Sequence, residues 1–391
     1  MNILLMDWPA FGNNTIRRVL SGLGHKVETF EFPQSSAETS RGEELGVRIA
    51  EAVLSTKADI VFSLNFFPVI ATAVHACRKK YVCWVYDNPA VLLYSMAVFF
   101  PENYIFHFDS YEVERMRREG VAHVWYLPLA ADVEEYDKMI PGEEQRKNYA
   151  ADIAMIGSMY RSKYKYFDKY TGFDDYLKGY LDAIVNVQEN VHGVNFLEEM
   201  LKPQIMEMIM KTVPLTEEKG DSYDTAAWDF ANYYLAMRVT AQEREHMLRS
   251  LSEVYDVALY TADETPELDR VRNMGSVDYY TEAPYAIKCA KINLNISLRS
   301  IINGIPQRVM DIMGCGGFVL SNYQADMCEE FVPGEDFVFY ENAEDAVEKA
   351  GYYLEHEEER KKIAESAYIK VKENHNIRNK CRLILETVNN G

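Results

Sequence analysis

The sequence predicts an α/β fold of two Rossmann-like domains. Two observations carry that expectation. Short apolar runs alternate with amphipathic stretches early in the chain and again late in it, the pattern of a parallel sheet covered on both faces by helices. The length of 391 residues also exceeds what a single hydrophobic core usually supports.

In the first domain, residues 1–140, strands are expected at Ile3–Met6, Val27–Phe30, Ile60–Leu64, Tyr81–Tyr86, Tyr104–Phe108 and His123–Leu127. Helical periodicity lies between them, as in Thr15–Leu23 and Glu43–Ser55. Functional groups of such sheets sit just beyond the strand C-termini. The chain places Asp7 with Asn13 and Asn14 there, then Ser63 with Asn65, Asp87-Asn88-Pro89, and Asp109-Ser110. His107 falls inside a strand and reads as a core residue. His75 lies on a helix-like segment and is given no role.

The polar stretch Glu143–Tyr149 reads as a linker. A second domain, residues 150–375, opens with the strand Asp152–Ile156 and the loop Gly157-Ser158-Met159-Tyr160-Arg161. A helical insertion is expected over 164–250, with helices at Tyr176–Val187, Leu197–Thr212, Thr225–Thr240 and Ala241–Tyr255. Strands return at Val257–Tyr260, Val277–Tyr280, Ile292–Ile296, Phe318–Ser321 and Phe337–Tyr340. Charged amphipathic helices close the chain at Ala343–Leu354, Glu357–Asn374 and Asn379–Val388. Residues 376–391 are expected to cross back to the first domain.

Composition narrows the function. A net charge of −20 argues against nucleic acid or an anionic membrane as partner, since both would repel the chain. Arg161-Ser162-Lys163-Tyr164-Lys165 is an example of a local basic cluster. The longest apolar segment, Ala90–Phe100, is too short to span a bilayer. The N-terminus lacks the basic region and cleavage site of a signal peptide, so a cytoplasmic protein is expected. The six cysteines form no CxxC pair and read as free thiols. The histidines show no HExxH, so no metal site is expected.

The most informative segment runs from Asn295 to Ser321. It reads as a buried strand, a turn at Asn303-Gly304, a short helix, a glycine-rich stop and a second buried strand. Arg299 and Arg308 are suited to phosphate, Asp311 to ribose hydroxyls, and helix N-terminal amides at Gly304 to negative charge. Arg308 and Asp311 are three apart, hence on one helix face, where they can also pair with each other.

This segment resembles the donor-binding region of GT-B glycosyltransferases related to glycosyltransferase family 4 (group 1). Those enzymes place two glutamates eight positions apart at a helix start. The corresponding positions here are Asn303 and Asp311. A closer resemblance is to the CgeB-like, spore-maturation glycosyltransferases, carried by Tyr86-Asp87-Asn88-Pro89, Tyr126–Ala130, Ile156–Tyr160, Val277–Tyr280, Lys291–Gln324 and Glu358-Glu359-Arg360.

The resemblance implies the GT-B arrangement: two Rossmann-like domains facing a cleft, here with the insertion in the second. It implies transfer of a sugar from a nucleotide-sugar donor to an acceptor hydroxyl on a protein, glycan or small molecule. It places donor binding at Gly157, Ser158, Tyr260, Tyr279, Arg299, Asn303, Gly304, Arg308 and Asp311, with Arg161 near the diphosphate. The nucleotide sugar would be a co-substrate, with no separate cofactor. No DxD motif sits at a strand end, so arginines are expected to take the place of a metal. Asp87, Asp7 and Asp109 are rival general bases, and Asn13 and Asn88 belong to the acceptor side. A catalytically inactive GT-B scaffold and a sugar-nucleotide epimerase are the alternatives.

Overall fold

The computed structural model describes residues 1–9, 12–32, 42–161, 172–213 and 221–390. The chain divides into two compact units. The first comprises Met1–Leu129, Thr216–Asp224 and Asn376–Gly391; the second comprises Ala130–Leu215 and Thr225–His375.

The first unit holds six parallel strands: β1 (Asn2–Asp7), β2 (Lys26–Glu31), β3 (Ile60–Leu64), β4 (Lys80–Val85), β5 (Asn103–His107) and β6 (Val124–Tyr126). Their order is β2-β1-β3-β4-β5-β6. The three central strands β3, β4 and β5 are almost wholly buried, which explains their continuous apolar runs. Helices α1 (Asn13–Gly22), α2 (Glu43–Ser55), α3 (Pro68–Ala76) and α4 (Ser110–Glu119) connect them. Helix α4 shows why its boundaries fall where they do. Asp109 caps its N-terminus by accepting from the Tyr111 amide at 3.0 Å. Gly120 ends it at φ +96°, a conformation glycine adopts without strain.

The second unit begins with α5 (Val133–Tyr136) and α6 (Glu143–Tyr149). The expected linker at 143–149 is therefore a helix. Glu143 and Glu144 lie in its first turn, Arg146 and Lys147 in its last, and both pairs complement the helix dipole. The Gln145 Oε1 accepts from the Gly142 amide at 3.1 Å, closing the N-terminus. None of its residues is buried, so the polar composition that suggested a linker suits a surface helix equally.

Strand β7 (Ala151–Ile156) leads into the insertion. Within it lie α7 (Asp175–Glu189), α8 (Leu197–Met200), α9 (Pro203–Thr212), α10 (Ala226–Asp229), a π-helical stretch Phe230–Leu235, and α11 (Ala236–Ser252). The insertion has its own core, including Leu177, Leu181, Ile209, Phe230 and Leu235. The expected break between residues 240 and 241 is absent. Thr240 satisfies its hydroxyl on the Ala236 carbonyl at 2.8 Å, a bond compatible with continuous helix.

The remaining strands are β8 (Val257–Tyr260), β9 (Arg272–Asn273), β10 (Ala290–Asn295), β11 (Val319–Asn322) and β12 (Val338–Tyr340). With β7 they form a parallel sheet of order β12-β11-β10-β7-β8-β9. The strand expected at Val277–Tyr280 is not formed; the edge strand is β9 instead. Asp278 explains the difference, because its carboxylate accepts from the Tyr280 amide and from the Thr281 amide and hydroxyl. Those local bonds fold the segment into a turn. Helices α12 (Ala283–Cys289), α13 (Gln307–Gly314), α14 (Ala325–Glu330), α15 (Ala343–Glu355) and α16 (Glu357–Asn374) complete this unit. The last helix, α17 (Ile377–Asn390), packs with α1 in the first unit.

All six cysteines are free thiols. No described helix is long and apolar enough to cross a membrane.

Candidate functional site

Ligands of doubly wound sheets bind outside the strand C-termini, where the connections change direction. In the second sheet that place lies between β7 and β10. The chain goes from β7 to β8 and β9 on one side, then returns to β10, β11 and β12 on the other. One side chain spans the two strand ends. Arg244, from α11, donates through Nη1 to the Ser158 carbonyl and through Nη2 to the Ile296 carbonyl, the latter at 2.5 Å. Its guanidinium stands 5.0 Å from the centre of the Tyr160 ring. A Cβ on Gly157 would lie 3.2 Å from Nη1, so the close approach of Arg244 accounts for this glycine.

The electrostatics of Arg244 differ from those of its neighbours. Arg161 pairs with Glu245 at 2.6 Å and also with Glu267. Arg299 pairs with Glu243 at 2.5 Å. Arg244 is 9% exposed, and its Nε has no hydrogen-bond partner among the described residues. Among those residues it also forms no ion pair. Arginine remains charged at any ordinary pH; the buried Glu243 carboxylate acts on Arg244 electrostatically but is bonded to Arg299, so Arg244 carries no direct ion pair. The crevice is therefore set to accept an anion.

The loop after β7 is shaped by Asp263. This buried carboxylate accepts from the Ser158 hydroxyl at 3.0 Å and from the Met159 amide at 2.5 Å, while the Tyr160 amide donates to Ser158 Oγ at 2.9 Å. Ser158 lies in this loop, and its hydroxyl is engaged. Arg161, expected near phosphate, is neutralised by its two glutamates. Lys163 and Lys165 of the basic cluster lie outside the described residues.

Arg299 is a correction. Expected at phosphate, it is 6% exposed and turned into the insertion. Besides Glu243 it donates to the Glu189 and Val191 carbonyls, at 3.2 and 3.1 Å, and lies 2.7 Å from His192 Nδ1. Burial pushes Glu243 up against the opposing pull of Arg299. Burial, with the Arg299 charge adding to it, pushes His192 down to about 4. The guanidinium that reads as a phosphate clamp in sequence is thus a buried tie between β10 and the insertion.

Asp311 is likewise enclosed. Its Oδ1 accepts from the hydroxyls of Tyr136 and Tyr279, both at 2.9 Å, and from Gln307 Nε2 at 2.8 Å. Arg308 reaches Oδ2 at 3.3 Å and lies 5.9 Å from the centre of the Tyr279 ring. Burial, reinforced by the Asp311 charge, holds both tyrosine hydroxyls well above their usual range. Tyr279, Arg308 and Asp311 lie together, and the carboxylate serves its protein neighbours rather than an open ribose position. Arg308 stays partly exposed.

Asn303 and Gly304 do not start the helix. Helix α13 begins at Gln307, with Pro306 at its N-cap. A residue before proline favours an extended backbone, so the helix cannot begin earlier. The Asn303 carbonyl accepts from the Asp326 amide at 3.0 Å, and Gly304 is buried in the loop. Tyr260 is also displaced from its expected role. It packs with Ala151, Ala154, Ala258 and Ala286, 6.1 Å from the Tyr149 ring, and burial raises its hydroxyl to about 12.

In the first unit the three rival carboxylates occupy distinct settings. Asp109 is buried and caps α4; its Oδ2 lies 3.5 Å from Asn88 Nδ2. Asp7 accepts from Asn13 Nδ2 at 2.9 Å. Asp87 is exposed at the end of β4. Its Oδ2 accepts from Asn65 Nδ2 at 2.6 Å, and Asn65 Oδ1 accepts from the Tyr86 and Asp87 amides. His107 is a core histidine, as expected; its Nδ1 accepts from the Asp109 amide at 3.0 Å.

Arg244 and Asp263 escape sequence reasoning, though one signal points to Arg244. It falls on the same face of α11 as the buried Ala241, Leu248 and Leu251. A charge within an apolar stripe is an anomaly, but the flanking Glu243 and Glu245 disguise it as part of a solvated face.

A family model described as glycosyl transferase-like matches residues 242–386, the stretch that includes Arg244 and most of the second sheet. Sucrose-phosphate synthase from Thermosynechococcus elongatus has a similar structure, with a TM-score of 0.60 at 9% identity over 100% of this chain and 98% of that one. Anabaena HepE in complex with UDP-glucose gives 0.57 at 11% identity over 100% of both chains. T4 phage BGT with its UDP-glucose substrate gives 0.51 at 8% identity over 99% of both. The fold is GT-B. No curated protein matches the sequence.

Proposed function

We propose that the protein is a glycosyltransferase moving a sugar from a nucleotide-sugar donor to an acceptor hydroxyl. Arg244 is the observation that carries this reading. A buried guanidinium without a direct ion pair among the described residues, at the switch point of the second sheet, suits a diphosphate. The glycosyl transferase-like match over the same stretch supports it, as does the fold shared with HepE and BGT, whose structures contain UDP-glucose. In this reading Arg244 and Arg308 stabilise the leaving diphosphate, the role a metal ion fills in other enzymes. Asp87 is the preferred general base, being exposed and held by Asn65, whereas Asp109 is committed to a helix cap. The acceptor is a protein, glycan or small molecule bearing a free hydroxyl. The closer CgeB-like kinship and a cytoplasmic setting remain part of the same proposal.

A thermal-shift panel of UDP, GDP, CDP, TDP and ADP tests it. A nucleotide at about a hundred times its dissociation constant adds roughly 2.7 kcal/mol to the native state, which corresponds to about 5–11 °C for a unit of this size. Arg244→Met should abolish that shift. A panel without any shift refutes donor binding. A shift without donor turnover supports an inactive scaffold.

A further inference from the structure

The insertion and the edge of the second sheet line an open pocket of about 460 Å³ that the donor reading does not use. This volume falls within the range of small-molecule sites. Its wall is made of planar polar side chains: Asn186 and Glu189 of α7, Gln242, Glu243 and His246 of α11, and Asn342 at the start of α15.

These groups are fixed by one end. Gln242 Nε2 donates to Asn186 Oδ1 at 2.8 Å and to Glu189 Oε2 at 2.5 Å. His246 Nδ1 lies 2.7 Å from Glu189 Oε1. Asn342 Oδ1 accepts from the Asp345 amide at 2.9 Å. Their other ends, Gln242 Oε1, Asn186 Nδ2, His246 Nε2 and Asn342 Nδ2, have no hydrogen bond among the described residues. The pocket thus offers both acceptors and donors, each side chain held at one end. A hydroxyl group is both donor and acceptor, so a polyol matches such a wall.

Charge argues against an anionic ligand. Glu189 lines the cavity and Glu341 and Glu344 adjoin it, while the charge of Glu243 is balanced by Arg299 and that of Arg249 by Glu245. The balance is acidic, which repels phosphate and hence a second nucleotide. Among the described residues no group of three His, Cys, Asp or Glu is arranged to hold a metal ion.

We propose that this cavity is a binding site for a neutral saccharide. Its meaning as an acceptor site rests on the glycosyl-transfer reading; saccharide binding itself does not. Saturation-transfer NMR on the full chain, with glucose, galactose, N-acetylglucosamine and maltose as probes, tests it. At least one probe should receive saturation. Gln242→Leu and Asn186→Leu, on different helices, should each weaken its binding about tenfold, the loss of one or two hydrogen bonds. Circular dichroism and retained pyrophosphate binding serve as the folding control. The proposal is overturned if no probe binds the wild type, or if binding persists undiminished in both folded variants. Failure of pyrophosphate to bind the wild type would instead remove the donor reading and leave the saccharide result standing.

Discussion

Arg299 donates to Glu243 at 2.5 Å, and both side chains are 6% exposed. The pair joins the end of β10 to the insertion helix α11. Removing one partner leaves the other charged and buried, at a cost of about 3–5 kcal/mol. Arg299→Met should therefore lower stability by that amount in urea unfolding while leaving the pyrophosphate affinity of the folded protein unchanged. A loss of affinity with unchanged stability would return Arg299 to the phosphate site.

Gly157→Ala tests the crevice from the other side. The new Cβ would press on Arg244 Nη1 from 3.2 Å. Displacing the guanidinium should weaken pyrophosphate binding roughly tenfold, as read by calorimetry. Undiminished binding would show that Arg244 does not hold the anion.

Tyr279→Phe removes one of three donors on Asp311 Oδ1. A single buried hydrogen bond contributes about 1 kcal/mol, so a drop of that size in the unfolding free energy is expected. If Asp311 instead binds ribose when freed, the variant should bind UDP more tightly, and titration calorimetry separates the two outcomes.

His107 supplies a pH dependence. Burial lowers it from 6.5 to about 3, so the unfolded chain takes up a proton in that interval that the native state refuses. Its contribution is complete above about pH 6.5 and declines as pH falls toward 3, by up to about 1.4 kcal/mol per unit. His107→Asn keeps an acceptor for the Asp109 amide but does not titrate. The variant should lose less stability than the wild type between about pH 7 and about pH 5, measured by urea unfolding.

Much of the fold is legible in the sequence because buried parallel strands are written as continuous apolar runs, as in Ile60–Leu64 and Val257–Tyr260. Val277–Tyr280 carries the same residue types but has Asp278, whose local bonds outweigh strand propensity. The site is less legible. Arg299 and Arg308 attract notice by standing near Gly304, yet proximity in sequence does not reveal that Glu243 lies opposite Arg299. Arg244 reaches the crevice from a helix about ninety residues after the loop it holds, and no local pattern announces that meeting.

Helices α10 and α11, with the π-helical stretch between them, form one uninterrupted rod from Ala226 to Ser252. Its early part carries the core of the insertion, and its late part is the crossover that delivers the chain to β8. The insertion is consequently not a removable module. Excising residues 164–250 as a block would take away Arg244 and the connection between two central strands, so any shortened form must keep the distal half of that rod and trim only what precedes it.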